Sequence, residues 1–230
     1  MIVAVHQAQY LPWLGYFDKI DKADIFCFLD NVQFKKNEWQ NRNRIKTSKG
    51  WQWLTTPVRY RFPQMINEVK INNTLNWRRK HLQALITNYH KAPFFDNFID
   101  LFRQVYSKNW EYLNDLNVYL IRSILNSLTI SQKPAVFSSE LHLSSDPTDR
   151  LIDICKNLGA DTYLSGQDGI NYLNQERFRQ RGIKLIVQHF NHPVYPQLFA
   201  EFQSHLSIVD LLFNCGPGSL QKIRDYNPNP

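Results

Sequence analysis

The sequence is poor in glycine and cysteine: its 230 residues include 8 glycines and 3 cysteines. So few glycines exclude a long glycine-rich phosphate loop, and neither GxGxxG nor GxxxxGKS/T occurs. A Ser-His-Asp order and a cysteine-nucleophile signature are also missing, so those hydrolytic mechanisms have no support in the sequence. Cys27, Cys155 and Cys215 are widely spaced and form no CxxC pair, so we expect buried thiols in a reducing compartment.

Long apolar runs are missing too. No stretch approaches the roughly 20 apolar residues that a membrane-spanning helix needs. The first residues, MIVAVHQAQY, have neither the basic region nor the long apolar region of a signal peptide. We therefore expect a cytoplasmic protein that has no membrane partner.

Positive charge is concentrated in one segment of an otherwise near-neutral chain, whose net charge is +7. Residues 35–61 contain one acid, Glu38, and these basic side chains: Lys35, Lys36, Arg42, Arg44, Lys46, Lys49, Arg59 and Arg61. Trp39, Trp51 and Trp53 stand among them. A local cluster of this kind indicates an anionic partner, although a solvated face that keeps the protein soluble explains it equally well.

The start of the chain has the pattern of a βαβ unit. A short apolar run at residues 2–5 predicts a buried strand, residues 14–23 predict a helix, and residues 24–30 predict a second buried strand. A strand, a helix and a strand within so few residues favour a parallel sheet. Residues 42–71 alternate more between polar and apolar types, which predicts antiparallel strands or a long insert.

Apolar stripes at helical spacing then predict three helices between residues 76 and 129. The α/β pattern resumes afterwards and predicts strands at 135–138, 162–165 and 183–188, with helices beginning at 147, 172 and 205. The last residues, from Asn227, are expected to fray. We therefore predict a single domain, residues 1–230, of the α/β class. It has a parallel, Rossmann-like sheet and a helical insertion at about 76–129.

Ligands of open parallel sheets bind beyond the carboxyl ends of the strands, so the loops that follow the predicted strands matter most. The first such loop places His6 and Gln7 at a strand end, and a helix begins soon after. The backbone N–H groups of a helix start attract an anion. In the alternative interpretation, Tyr10, Pro12 and Trp13 form a rigid packing plug and His6 makes only local hydrogen bonds.

A second polar loop, Ser165-Gly-Gln-Asp-Gly169, also follows a predicted strand. Gly166 and Gly169 allow a close backbone approach. Asp168 suits a hydroxyl, an ammonium group or a metal. A plain turn between a strand and a helix explains the same residues equally well.

The last strand is followed by two histidines, His189 and His192, at a spacing that occurs in metal sites. Pro193 and the lack of neighbouring acids argue against such a site. We therefore predict no metal.

A set of sequence blocks spread along the chain forms a recognisable signature. The blocks are His6-Gln-Ala-Gln-Tyr-Leu-Pro-Trp-Leu-Gly-Tyr-Phe17, Asp30-Asn-Val-Gln-Phe-Lys35 with Trp39, Asn41-Arg-Asn-Arg-Ile45, Asp161-Thr-Tyr-Leu-Ser-Gly166, Tyr172-Leu, His192-Pro-Val-Tyr195 with Gln197, and Leu206-Ser-Ile-Val-Asp-Leu-Leu-Phe-Asn214. In this order they resemble the WbqC-like family over nearly the whole chain. One departure is Ala8, where the family usually has a proline.

Members of the WbqC-like family are bacterial, and their genes tend to lie among those for surface polysaccharides, such as O-antigen, and for modified sugars. The resemblance implies an enzyme of that biosynthesis. Such an enzyme would transfer an acyl or aminoacyl group, for example glycyl, to a free or nucleotide-linked amino sugar and form an amide bond. The implied partner is a small anionic substrate, a nucleotide-sugar first of all.

The segment from His6 to Phe34 is also similar to the start of pantothenate synthetases. Those enzymes belong to the nucleotidyltransferase-like α/β group and form an amide through an adenylate, so the similarity implies the same kind of sheet. Their HxGH motif is missing here, because Trp13-Leu-Gly-Tyr16 contains no histidine pair. ATP therefore stays open as a cofactor, without a motif to support it.

The resemblance and the loops together assign roles to residues. His6 is the candidate general base, since an attacking amine must lose a proton and the pKa of a histidine can lie near 7. Asp168 is the second catalytic candidate, and it or Asp30 would orient the substrate. Arg42 and Arg44 would grip diphosphate oxygens. The other predicted substrate contacts are Gln7, Tyr10, Asn41, Asn43, Ser165, Gly166, Tyr172, His192, Tyr195 and Gln197.

Other functions fit the same sequence. Basic residues interleaved with aromatic ones are typical of RNA surfaces, which favours an RNA-binding protein or an acyltransferase that takes its donor from aminoacyl-tRNA. A third hypothesis is a non-catalytic scaffold of a glycan-assembly complex, for which the His6 side chain would be dispensable. The oligomeric state stays open.

Overall fold

The computed structural model describes residues 1–130, 133–199 and 201–228, and it arranges them around a parallel sheet. In chain order, the strands and α-helices are β1 (Ile2–His6), α1 (Leu14–Lys22), β2 (Ile25–Phe28), β3 (Arg42–Thr47), β4 (Gly50–Thr55), β5 (Val58–Arg59), β6 (Lys70–Ile71), α2 (Trp77–Tyr89), α3 (Phe95–Ser107), α4 (Leu113–Ser127), β7 (Ala135–Phe137), α5 (Pro147–Asn157), β8 (Thr162–Ser165), α6 (Gln175–Gln180), β9 (Lys184–Val187), α7 (Ile208–Cys215) and α8 (Ser219–Tyr226).

The central sheet contains five parallel strands in the order β7-β2-β1-β8-β9. The register pairs Val5 with Cys27 on one side of β1, and Ala4 with Leu164 on the other. The chain runs from β1 outward to β2 and β7 and then crosses to β8 and β9, so its direction changes between β1 and β8. The predicted α/β class with a parallel, Rossmann-like sheet is confirmed. Ligands of such sheets bind at that change of direction.

Packed layers on both faces of the sheet explain why its strands are almost continuously apolar. Val3 belongs to a buried cluster that includes Ile154 of α5 and Phe178 of α6. The next residue, Ala4, belongs to the larger core, which includes Phe17 of α1. Successive residues of β1 therefore contact opposite layers, as the pleat of a strand requires.

Residues 42–71, which include most of the basic segment, form two antiparallel strand pairs, β3 with β4 and β5 with β6, in agreement with the antiparallel strands that their alternating pattern predicts. One backbone hydrogen bond connects the segment just before the β3–β4 hairpin to the loop after β1, and another connects β3 itself to the residue before α7. The Tyr10 N–H donates to the Trp39 carbonyl oxygen (3.0 Å), and the Ser207 N–H donates to the Arg44 carbonyl oxygen (2.9 Å). The hairpin therefore lies beside the loop that follows β1.

Helices α2, α3 and α4 occupy residues 77–127, where the sequence predicts a helical insertion. The stripe of Phe98, Phe102 and Val105 on α3 is buried in the larger core. Within the described ranges, no helix is both long and apolar enough to cross a membrane. That the chain forms one domain over residues 1–230 stays a prediction.

The region after β8 differs from its predicted form. A 3-10 helix occupies Gln167–Asn171, and the helix predicted from residue 172 begins only at Gln175. Asn174 caps that helix by accepting a hydrogen bond from the Arg177 N–H at 3.2 Å. The side-chain cap explains the later start, because it satisfies an N–H group of the first turn.

The end of the chain is more ordered than its composition predicts. A further helix, α8, follows the break Gly216-Pro-Gly218. Asn227 is not frayed, since it is 2% exposed and its amide donates to the carbonyl oxygens of Asn191 and Ile223. Residues 229 and 230 of the predicted frayed tail lie outside the described residues.

Candidate functional site

A cleft of about 750 Å³ opens at the carboxyl ends of β1, β8 and β9, where the direction of the chain changes. We call its buried lining residues the floor and its exposed ones the rim. The floor includes Val5, Gln9, Lys19, Tyr163, Ser165 and Gln188. The rim includes Lys35, Trp39, Asp168, Tyr172 and His205, and the half-buried His6, Trp13 and Phe190 lie between the two.

The loop between β1 and α1 forms one wall of the cleft, and distant side chains hold its backbone. The Asn43 amide donates to the Leu11 carbonyl oxygen (2.7 Å), where Leu11 has a positive φ of 46°. The Asn117 amide donates to the Ala8 carbonyl oxygen at 3.2 Å. These bonds satisfy carbonyl groups of an irregular buried segment, which would otherwise lack donors.

Trp13 lies directly over Gly15 at the start of α1. A Cβ atom on Gly15 would meet the indole ring at 2.4 Å, which is far inside van der Waals contact. The ring of Trp13 also contacts Phe190 edge-on, with 5.0 Å between ring centroids, and stacks on His205 at 5.9 Å. Glycine at position 15 therefore permits an aromatic cluster at the cleft.

His6 lies at the end of β1 as a neutral imidazole. Its Nδ1–H donates to the Gln7 carbonyl oxygen (3.1 Å), which leaves an unprotonated Nε2. Burial, with a smaller effect of the Lys19 charge, lowers the pKa of His6 to about 4. This pKa lies well below the value near 7 that would suit a general base at neutral pH. At neutral pH this side chain is a hydrogen-bond acceptor and only a weak base.

Lys19 is a buried lysine of the floor that the sequence analysis did not include. Its Nζ donates to the Val5 carbonyl oxygen at 3.0 Å, and burial lowers the pKa of this amine to about 7. Lys19 lies four residues after Gly15, hence one helical turn beyond the loop and on the same helix face. That spacing is the signal from which its position at the cleft could have been found.

Gln9 is the second floor residue that sequence reasoning missed. Its side chain is 7% exposed, and its buried Oε1 has no hydrogen-bond partner in the described part of the chain. A buried amide oxygen without a donor is costly. Within the described residues, two side chains that line the cleft therefore have an acceptor without a donor: Gln9 at its buried Oε1, and His6 at Nε2.

The loop after β8 forms the opposite wall and contains four of the predicted site residues. Ser165 lies in the floor, where its hydroxyl donates to the Gly166 carbonyl oxygen at 3.0 Å. Asp168 and Tyr172 lie on the rim, and Tyr172 is 66% exposed. These residues line the same cleft as His6 and Gln7 of the opposite wall.

Other predicted site residues lie outside the cleft lining and make structural hydrogen bonds. The hydroxyl of Tyr10 lies 2.7 Å from His81 Nδ1 and 2.6 Å from the Tyr106 hydroxyl, in the core. The Asp30 carboxylate accepts hydrogen bonds from Ser138 and Ser139 and so joins the ends of β2 and β7.

The two predicted asparagine contacts are similarly engaged. Asn41 donates to the Thr56 carbonyl oxygen (3.0 Å) and accepts from the Asn37 N–H (3.0 Å). Asn43, as described above, holds the loop after β1. Both side chains are buried, at 1% and 0% exposure, so neither is available at the surface.

Arg42 and Arg44 lie on tryptophans beside the cleft. The guanidinium carbon of Arg42 is 4.2 Å from the centroid of Trp53, and that of Arg44 is 5.1 Å from the centroid of Trp51. Arg44 also donates to the His205 carbonyl oxygen at 3.1 Å. Neither arginine lines the cleft. Arg44 contacts the rim residue His205 directly, and Arg42 contacts Trp53, whose ring packs beside Trp39 of the rim.

The predicted residues after β9 belong to a separate hydrogen-bond cluster around Asp210. The Tyr195 hydroxyl and the Gln197 amide both donate to Asp210 Oδ2, at 2.9 and 2.8 Å. Burial raises the pKa of Asp210 to about 6. His192 accepts a hydrogen bond from the His205 N–H at 3.0 Å, so it positions a rim residue without lining the cleft itself.

The structure therefore defines a class of α/β protein that carries a cleft at the switch point of a parallel sheet, with unpartnered acceptors in that cleft. Within that class, the chain belongs to the WbqC-like protein family, whose sequence model matches residues 7–222. The chain is similar to the uncharacterized protein Rv1507c of Mycobacterium tuberculosis (strain ATCC 25618 / H37Rv). The two are 38% identical over 218 residues, which cover 93% of this chain and 94% of the relative. No solved structure matches the chain significantly.

Proposed function

We propose that the protein is an enzyme of surface-polysaccharide or modified-sugar biosynthesis. On this proposal it joins an acyl or aminoacyl group to the amine of an amino sugar bound in the cleft. The observation that carries the proposal is a pair of acceptors on cleft-lining side chains, Gln9 Oε1 and His6 Nε2, that have no donor among the residues the structure describes. An amino sugar supplies the N–H and O–H donors that such a site needs.

The aromatic side chains of the cleft support a sugar or a nucleotide as the ligand. Trp13, Phe190 and Tyr172 line it, and Trp39 stands on its rim. Aromatic faces pack well against flat or ring-shaped ligands and bury large areas. The exposed Lys35 on the rim offers a cation to a diphosphate. This residue, rather than Arg42 or Arg44, is the first candidate for that contact.

The chemistry requires little from the protein beyond positioning and proton transfer. The amine nitrogen attacks the carbonyl carbon of the acyl donor, the bond from that carbon to the leaving group breaks, and the nitrogen loses one proton. The neutral His6 accepts a hydrogen bond from the amine and so aims its lone pair at the donor. Asp168 on the rim suits a hydroxyl or an ammonium group of the sugar.

The test is an assay for the product. The protein is incubated with nucleotide-linked amino sugars, glycine and ATP, or with aminoacyl-tRNA, and mass spectrometry measures the gain of one acyl group on the sugar. We expect a product that His6→Ala reduces and His189→Ala does not, because His189 is exposed and lies outside the cleft lining. Absence of product with every donor would overturn the proposal.

A donor carried by tRNA is favoured by one specific observation. Trp39 and Trp51 are 37% and 43% exposed, and Arg44 lies against both. Exposed aromatics interleaved with arginine are typical of single-stranded RNA surfaces. Binding of tRNA should then weaken with salt along a log-log slope of several units, and Trp51→Ala should reduce affinity. A slope near zero would exclude this donor.

A further inference from the structure

Lys19 is a buried amine at the floor of the cleft whose hydrogen bonds do not suit its charged form. An ammonium group has three donors, and Lys19 has one partner in the described residues, the Val5 carbonyl oxygen at 3.0 Å. No carboxylate within the described ranges forms an ion pair with it. Asp18, its neighbour in sequence, instead pairs with Lys22 at 3.1 Å and accepts from Gln188 at 2.6 Å.

We propose that Lys19 is a catalytic residue of the cleft, and that its unprotonated Nζ takes the proton that the acceptor amine releases as the amide forms. This role rests on the proposed function. One N–H of the neutral amine stays bonded to the Val5 carbonyl oxygen, which leaves its lone pair and its other N–H for the ligand.

The comparison with His6 decides which group accepts the proton. The pKa of Lys19 is about 7, whereas that of His6 is about 4. This difference makes Lys19 the stronger base of the two. A general base works best when its pKa lies near the working pH. His6 therefore orients the amine and Lys19 removes its proton.

The proton balance closes within the cleft. Attack by the neutral amine gives a positively charged nitrogen in the tetrahedral intermediate, and one proton passes from that nitrogen to Lys19. The bond from carbon to the leaving group then breaks, and Lys19 returns the proton to the leaving group or to water. The other titratable groups that line the cleft are His6 of β1, Tyr16 of α1, the half-buried Arg150 of α5, Tyr163 of β8, and the rim residues Lys35, Asp168, Tyr172 and His205.

The first test measures the basicity of Lys19 without any substrate. The protein is methylated with formaldehyde and dimethylamine-borane across pH 5–10, and the modified peptides are quantified by mass spectrometry. We expect the rate at Lys19 to level off near pH 7, with the exposed Lys49 as the internal reference. A rate at Lys19 that follows the profile of Lys49 would overturn the proposal.

The second test uses the acyl-transfer assay. Lys19→Ala should lower kcat at pH 7 by about 100-fold or more while KM changes little, because general-base catalysis contributes at least that much. A small amine such as ethylamine should restore part of the rate. Lys49→Ala is the matched control, and circular dichroism confirms the fold of each variant.

The outcomes separate the two proposals. A Lys19→Ala variant with wild-type kcat and an unchanged pH profile would refute the role of Lys19 and leave the proposed function intact. A wild-type protein that makes no amide would refute both. In that case a methylation rate at Lys19 that levels off near pH 7 would trace the failure to the reaction and not to the amine.

Discussion

The side-chain amide of Asn43 donates a hydrogen bond to the carbonyl oxygen of Leu11 at 2.7 Å, across 32 residues of sequence. Asn43 is fully buried on β3, and Leu11 lies in the cleft loop with a positive φ of 46°. The hairpin of the basic segment thus holds the cleft wall in place. The connection gives Asn43 a structural role that its position in the motif does not reveal.

Asn43→Ala should destabilise the protein by about 1–3 kcal/mol, because it leaves the buried Leu11 carbonyl oxygen without its donor. Urea unfolding measures this change in the free energy of unfolding. Asn97→Ala is the control, since Asn97 is exposed on α3. Equal stability of the two variants would show that the bond does not hold the loop.

Gly169→Ala should distort the opposite wall of the cleft. A Cβ atom at position 169 would lie 1.9 Å from Ser165 Oγ, so the serine must move out of its place in the floor. We expect a loss of about 1–3 kcal/mol, as for other overpacked sites, measured by thermal unfolding. Gly166→Ala is the control, because a Cβ atom there meets nothing within 4 Å.

The contact between a Cβ atom at position 169 and the Ser165 hydroxyl leads to a second prediction. In the double variant Ser165→Ala with Gly169→Ala, the hydroxyl is gone and the remaining contact would be to the Cβ atom at 3.3 Å. The double variant should therefore recover part of the stability that Gly169→Ala loses. Additive losses would place the cause elsewhere than in this contact.

Sequence reasoning located the cleft because parallel strands present their carboxyl ends at the same edge of a sheet. His6 and Gln7 follow β1, while Ser165 and Asp168 follow β8, its neighbour in the sheet. The order of short apolar runs was enough to predict this convergence. The motifs added the family, whose sequence model matches residues 7–222.

The same reasoning could not separate ligand contacts from structural ones. Tyr10 bonds to His81 and Tyr195 to Asp210, and these partners are 71 and 15 residues away. Such pairs depend on the tertiary fold and leave no periodic trace in the sequence. Gln9 and Lys19 were missed for the opposite reason. Among the described residues, Gln9 Oε1 has no donor and Lys19 has a single carbonyl partner and no carboxylate, which only three-dimensional packing can show.

His6 should make stability depend on pH in a defined direction. Its pKa is about 4 in the folded protein against 6.5 ordinarily, so below pH 6.5 the unfolded chain takes up a proton that the folded protein refuses. The free energy of unfolding should therefore fall as the pH falls from 6.5 towards 4. Between pH 7.5 and pH 5 the His6 contribution is about 2 kcal/mol.

The measurement compares wild type with His6→Gln by urea unfolding at pH 7.5 and pH 5. Other groups with shifted pKa values also contribute in this range, among them His81 (lowered to about 4), Asp210 (raised to about 6) and Lys19 (lowered to about 7). They occur in both proteins and so cancel in the difference. From pH 7.5 to pH 5, the free energy of unfolding of His6→Gln should fall by about 2 kcal/mol less than that of wild type. The His189→Gln variant should behave like wild type. Parallel losses in all three would mean that His6 titrates normally.

Gln9→Met should separate stability from ligand binding. Gln9 Oε1 is buried without a donor in the described structure, so replacing the amide by an apolar side chain of similar size removes an unsatisfied group. The variant should be as stable as wild type or more stable by up to about 1 kcal/mol, and it should bind an amino sugar more weakly because the acceptor is gone.

Gln188→Met is the matched control, since Gln188 also lies in the floor but donates to the Gly15 carbonyl oxygen (2.8 Å) and to Asp18 (2.6 Å). That variant should lose stability, because it leaves Asp18 and the carbonyl oxygen without this donor. Urea unfolding and calorimetric titration with the sugar give the two readouts. A Gln9→Met variant that loses as much stability as Gln188→Met would show that the Gln9 amide is satisfied within the protein, and the argument for a donor-rich ligand would then fail.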